Sequence, residues 1–176
     1  MIVRGNRIYF RELNSNDATE EYSSWLRDSE VNTFLASNPC SREELRQYIE
    51  QKQKDKNCLF WGIFLNEADT HIGNLKLEPV NFEEKKAVMG ILIGKKECWN
   101  KSLGTEAISL AVDYCFTELE LEEITLGVVK EHLAAIKAYE KAGFTKQKIN
   151  EKGIAIRGKW YDQLIMIKKK EEKKIF

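Results

Sequence analysis

Two short apolar runs, each followed by a segment of helical spacing, constrain this chain more than anything else in it. AVMGILIG (Ala87–Gly94) reads as a strand buried on both faces. From Ser102 to Phe116 the apolar residues Leu103, Ala107, Leu110, Ala111 and Tyr114 fall on one helical stripe. EITLGVV (Glu123–Val129) reads as a second buried strand, and HLAAIKAYEKAGF as a second helix closed by Gly143. Strand–helix–strand–helix implies a parallel pair joined by a right-handed crossover.

The flanking segments make the sheet mixed. Ile8–Leu13 alternates as a first strand. NSNDATEEYSSWL predicts a helix capped by Asn16 or Asp17, and DSEVNTFL a second short helical piece. After a break at Asn38-Pro39, the capping box Ser41-x-x-Glu44 starts another helix. CLFWGIFL and THIGNLKLEPV read as a hairpin around NEAD, and two further strands fall near Thr145–Asn150 and Ala155–Ile167. The fold class is α/β (α+β), with a mixed central sheet of about six to seven strands flanked by helices. No linker divides the 176 residues. Residues 1–168 therefore read as one domain and 169–176 as a charged tail.

Bulk composition narrows the function. Twenty-eight basic and 28 acidic residues cancel, which argues against nucleic acid as a partner. No apolar run approaches the ~20 residues of a membrane helix, and MIVRGNRIYF has no signal-peptide core. Cys40, Cys58, Cys98 and Cys115 form no CxxC pair, and His71 and His132 stand apart, so no metal is expected. Lone thiols without a signal fit a reduced, cytoplasmic protein.

The chemistry gathers at WNKSLGTEA (Trp99–Ala107), where Lys, Ser and Gly precede a helix. Helix starts bind phosphate through free N–H groups and the helix dipole. A P-loop ending at Lys101-Ser102 needs glycines at 95 and 100, where this chain has Lys95 and Asn100. Two readings remain: a phosphate site, or a plain helix entry with Gly104 present for close packing.

Taken together, IYFRELNSNDA, LRDSEVNTFL, HIGNLKL, MGILIGKKECWNKSLGTEAI, HLAAIKAYEKAGF and GKWYDQLIM resemble, in this order, the GNAT superfamily of acetyl-CoA-dependent N-acetyltransferases. The likeness is to the branch of ribosomal-protein and amino-sugar acetyltransferases. It implies a parallel pair splayed at its ends, with pantetheine in the gap beside the backbone of Ile91, Leu92 and Ile93. It implies the pyrophosphate of acetyl-CoA on the amides of Trp99, Asn100, Lys101, Ser102, Leu103, Gly104 and Thr105. Trp99 fills the first place of the usual Q/R-x-x-G-x-G/A pattern, and Ser102 replaces its first glycine.

The resemblance also implies roles for two residues of the second helix. Position alone makes Tyr139 a core residue; the Y-E-K-x-G-F likeness makes it the general acid at the coenzyme sulfur. A phenol of pKa ~10 suits a departing thiolate. His132 stands where the family has a coenzyme-binding Asn. Val88 stands where the branch often has Glu, which leaves a water chain or Asp162 as the route for the amine proton.

The acceptor is a small-molecule amine or a protein N-terminus. HIGNLKLEPVN is most like members linked to surface-sugar pathways, which points to an amino sugar on a nucleotide. A polyamine site would need an acidic lining, for which Glu20, Glu21, Asp28 and Glu30 are candidates. Trp25, Phe34, Trp160 and Tyr161 offer stacking surfaces or core. A non-catalytic acetyl-CoA sensor is the reading from another class, and homodimers are common in such a family.

Overall fold

The computed structural model describes residues 1–36 and 41–171. The expected Asn38-Pro39 break, Cys40 and the last five residues of the tail lie outside them. The chain orders as β1 (Ile2–Arg4), β2 (Ile8–Glu12), α1 (Glu20–Arg27), α2 (Arg42–Lys54), β3 (Leu59–Leu65), β4 (His71–Asn81) and β5 (Lys86–Ile93). It continues with α3 (Leu103–Thr117), β6 (Glu123–Val129), α4 (Leu133–Lys141), β7 (Thr145–Ile156) and β8 (Lys159–Lys169). Among the described residues the sheet has eight strands, in the order β1-β2-β3-β4-β5-β6-β8-β7. Each neighbouring pair is antiparallel except β5 and β6, which run parallel.

Two apolar layers flank this sheet. Ile8, Phe10, Trp61, Leu75, Met89, Ala107, Ala111, Leu126 and Tyr139 pack in the larger, beneath α3 and α4. Leu13, Tyr22, Trp25, Leu45 and Ile49 pack in the smaller, beneath α1 and α2. The second layer ends near Leu92, and beyond it the same face lies open at Val88, Gly90 and Gly127.

Several local expectations are corrected. The eighth strand is β1, a three-residue edge piece paired with β2 and too short to show a period. NSNDATEEYSSWL is not one helix. Asn14 caps a single 3-10 turn at Ser15–Asp17, and Thr19 caps α1. The Asp17 carboxylate is taken by Arg11 (2.7 and 2.8 Å) and by the Asn14 amide, so it cannot cap α1. DSEVNTFL is a turn. The Asp28 carboxylate accepts from the amides of Glu30 and Val31 (2.9 and 3.2 Å), which competes with helix formation. Strand β5 is not buried on both faces but alternates: Ala87 and Met89 are buried, Val88 and Gly90 exposed. The Ser41/Glu44 capping box and the left-handed Gly143 (φ +88°) are present as expected.

His71 ties the open end of β4 to α1. Its Nε2 lies 2.9 Å from both the Gly73 carbonyl and Asn74 Oδ1, two acceptors, so Nε2 carries the proton. The ring stacks on Phe64 at 4.8 Å and meets Trp25 edge-on. Burial lowers its pKa below the ordinary 6.5. The unfolded chain then binds this proton first as pH falls, so stability is full above pH 6.5 and declines below it. We expect the melting temperature to hold from about pH 7 to 8 and to drop below about 6.5. In His71→Gln that acid slope is shallower; an unchanged slope would assign it elsewhere.

Candidate active site

The central feature is a fork. Strands β5 and β6 pair over three rungs, Lys86/Glu123, Ala87/Ile124 and Val88/Thr125, and then part. Past the fork β5 stays bonded to β4, and β6 to β8. The facing edges of residues 89–93 and 126–129 have no strand partner in each other. Unpaired main-chain edges of this kind accept an extended ligand as an added strand.

Ladder geometry tells which peptide groups face the split. Gly94 donates to the Ile72 carbonyl at 2.9 Å, and Gly73 lies opposite Ile93. Bonded pairs alternate in an antiparallel ladder, so Gly90 and Leu92 turn their peptide groups to β4. Ile91 and Ile93 turn theirs to the split. The main chain of Leu92, expected beside pantetheine, is instead spent on β4, and its side chain packs against the smaller apolar layer. The Ile93 carbonyl accepts from the indole of Trp99 at 2.8 Å, which leaves the amides of Ile91 and Ile93 and the Ile91 carbonyl on that edge.

Trp99 thus fastens the end of β5 to the loop before α3, and its ring packs against the smaller apolar layer. Contrary to expectation its amide is not free for phosphate, because it donates to the Lys96 carbonyl at 3.0 Å. Asn100 and Ser102 both adopt left-handed backbone (φ +59°) on either side of Lys101. Ser102 takes the conformation that a glycine would adopt more freely, and it caps α3 without a side-chain bond. Alternating backbone handedness makes a concave row of amides, and the free N–H groups of Leu103, Gly104 and Thr105 continue it. A Cβ at Gly104 would meet only Ile93 Cγ1, at an ordinary 3.6 Å. Close packing does not explain that glycine.

Arg7 was not legible as part of this loop. It donates to the Lys101 carbonyl (3.0 Å), and its Nε binds Glu106 Oε2 (2.7 Å) in the first turn of α3. This pairing offsets the Glu106 charge, which would otherwise repel an anion at the helix start.

Tyr139 projects from α4 into the larger layer at 6% exposure and meets Phe144 edge-on at 5.9 Å. Its hydroxyl has no hydrogen-bond partner among the described residues. Burial raises its pKa well above the ordinary phenol value. The buried thiols are silent: burial raises Cys58 to about 11 and Cys115 to about 12. Neither is a thiolate nucleophile at neutral pH. Among the described residues no group of His, Cys, Asp and Glu has a metal-binding arrangement.

On the open face, Gly90 and Gly127 each stand two residues past the last β5–β6 rung, Val88/Thr125, on the two sides of the split. A Cβ at Gly90 would touch nothing within 4 Å, and the Gln163 amide lies over Gly127. The turn after α1 closes one end of this face. Phe34 stacks on His132 at 4.7 Å and meets Tyr161 edge-on, and Arg157 donates to the Asn32 carbonyl at 2.7 Å. The His132 ring is thus engaged by Phe34 and makes no cap for α4. Asp162, expected as a strand-end charge, lies inside β8, where it accepts from the Lys152 amide (3.0 Å) and faces Lys130. Val88 sits at the last rung of the fork. Trp160 is 60% exposed.

Comparison with known proteins agrees with this architecture. The acetyltransferase (GNAT) domain profile matches residues 7–145. A probable N-acetyltransferase of Bacillus subtilis, YjcK, is 32% identical over 178 aligned residues, covering 94% of this chain and 95% of that protein. The spermidine N(1)-acetyltransferase of Vibrio cholerae is 26% identical over 92% of this chain and 86% of its own. Among solved structures, a spermidine N-acetyltransferase from Vibrio cholerae in complex with CoA and spermine superposes with a TM-score of 0.84. It is 23% identical, covering 94% of this chain and 96% of that one. The ribosomal-protein-S5-alanine acetyltransferase of Vibrio fischeri superposes with 0.83 at 16% identity, over 96% of both chains. A sheet that forks at its parallel pair, an amide-lined helix start beside the fork and these matches have one reading: the chain belongs to the GNAT acetyltransferase family and is an acetyl-CoA-dependent acyltransferase.

Proposed function

We propose that the chain moves an acetyl group from acetyl-CoA to a primary amine at the fork, with an amino sugar carried on a nucleotide as the acceptor. The observation that carries this reading is the parting of β5 and β6 after three rungs, with the α3 start at its mouth. The bound coenzyme supplies an acetyl thioester. The amides of residues 100–105 hold its pyrophosphate, that of Trp99 being spent on the Lys96 carbonyl (3.0 Å). The Ile91 and Ile93 edge holds pantetheine and gives an N–H to the thioester oxygen, where charge grows as the amine attacks. The C–N bond forms, the C–S bond breaks, and Tyr139 gives its hydroxyl proton to the departing sulfur. The proton lost by the amine leaves to water, and one from water restores the Tyr139 hydroxyl. His132 borders the same site through the Phe34 stack.

The names of the spermidine-acetylating relatives favour a polyamine as second reading. The acidic candidates weigh against it here. Lys95 pairs with Glu21 (2.7 Å), and Lys96 with Asp28 and Glu30 (2.7 and 2.8 Å). Glu20 is paired with Arg27.

Thermal denaturation tests the coenzyme site. At a hundredfold excess over Kd, a ligand that binds only the folded chain adds ~2.7 kcal/mol, or about 5–10 °C at this size. We expect that rise with acetyl-CoA and none with ATP. No rise with acetyl-CoA would reject the reading. A rise without acetyl transfer to any amine would leave a sensor.

A further inference from the structure

The open face beside the fork carries a charged cluster that the acetyl-transfer chemistry does not use. Lys76 of β4 lies directly opposite Gly90, so it stands one strand away from the split. Its Nζ reaches Tyr48 Oη of α2 at 2.7 Å, which places the side chain on the α1/α2 face, the face on which Gly90 is bare. Glu78 bonds Lys76 through Oε2 (2.7 Å) and Lys52 through Oε1. Both ammonium groups also lie over the Tyr48 ring, 5.3 and 5.5 Å from its centroid.

The charge count of this cluster is two cations against one carboxylate. Glu78 has both oxygens occupied, so it has little left to offer an incoming cation. An ammonium has three N–H donors. Lys76 spends two, on Glu78 and Tyr48, and the side chain keeps 31% of its surface exposed. Burial pulls its pKa down, but the bonds to Glu78 and Tyr48 together outweigh that and hold it above the ordinary lysine value. The group is therefore charged at any working pH, held in one place by two partners, with a donor to spare.

Resting on the proposed acetyl transfer, we infer that Lys76, backed by Lys52, recognises an anionic group on the acceptor, a phosphate carried about 10 Å or more from the reacting amine. Two strand spacings separate the β4 backbone at Lys76 from the middle of the split, and the ammonium leans farther from it, toward Tyr48, which packs on Phe60 of β3. A polycation would meet net like charge here, which disfavours it at the step of binding. Lys76 is a specificity residue in this reading and takes no part in bond making.

Steady-state kinetics on the full chain tests this with three acceptors: a nucleoside-diphosphate-linked amino sugar, the same amino sugar unphosphorylated, and spermidine. An amino-sugar 1-phosphate added to the panel separates a need for phosphate from a need for the nucleotide. We expect the phosphate-bearing amines to exceed the free amino sugar in kcat/KM by about tenfold or more, and spermidine to be poorest. In Lys76→Met that ratio falls about tenfold, through acceptor KM with kcat little changed; Lys76→Arg restores it, and the ratio falls with added salt. Melting curves with and without acetyl-CoA verify that both variants fold and hold the coenzyme. Spermidine as the best acceptor, or an equal loss toward all three in Lys76→Met, overturns the inference while leaving acetyl transfer standing. Acetyl-CoA binding without transfer to any of these amines overturns both.

Discussion

Tyr139→Phe should lower kcat by about 10²–10⁴-fold while leaving acetyl-CoA binding nearly unchanged. The phenol stands in the apolar layer with no protein partner for its hydroxyl among the described residues. Removing the oxygen therefore breaks no bond that the fold uses, and the ring still packs on Phe144. The melting temperature and its rise with acetyl-CoA should both survive. The pH profile carries a second signature. Burial raises the phenol pKa, so the proton is retained through the neutral and mildly alkaline range. The wild-type rate should then show no alkaline limb from this group below about pH 10. Full turnover in Tyr139→Phe would return the residue to the core role that its position alone suggests.

Gly90→Val should cost at least about a hundredfold in kcat/KM without destabilising the chain. A Cβ at this position meets no atom within 4 Å, so the larger side chain has room. Valine also suits an extended strand better than glycine. The room it fills is the bare floor at the split, beside the Ile91 amide, where an amine must come up to the thioester. Displacing reacting atoms by about 1 Å costs on the order of a hundredfold. Gly90→Ala should fall between the two. Wild-type kinetics in Gly90→Val would mean that the amine enters by another route.

These two residues differ in how they could be found. Tyr139 is visible in the sequence because the segment YEKAGF carries a likeness that outweighs the bland meaning of a tyrosine on an apolar stripe. Gly90 has no such signal. Its importance comes from its place two residues past the last β5–β6 rung, and where two strands stop pairing is a tertiary property. Arg7 is the same kind of case. It lies 94 residues from the carbonyl that it binds, in a turn with no motif. Lys76 sits inside HIGNLKL, a segment whose likeness says nothing about the charge at that position. Ser102 is legible as a departure from glycine, and the structure shows it keeping the glycine's backbone conformation.

The departures in the first forty residues have a common cause. Asp17 reads as a cap and Asp28 as the start of a helical piece, and in each case the carboxylate makes a bond that diverts the chain from that helix. Arg11 draws Asp17 into a half-buried pair, and two nearby amides close the turn at Asp28. Short polar side chains choose among competing local bonds, and tertiary contacts decide the choice.

The sequence by itself determined the two helices, the α2 capping box and the left-handed Gly143, which depend on residues within a turn of each other, and the parallel pair, which follows from strand–helix–strand order along the chain. Only the tertiary structure decided where β5 and β6 part, which peptide groups face the split, and which face of β5 lies open. Those depend on how far α1 and α2 reach across the sheet and on alternation between neighbouring strands. Both are long-range packing outcomes that local periodicity does not encode.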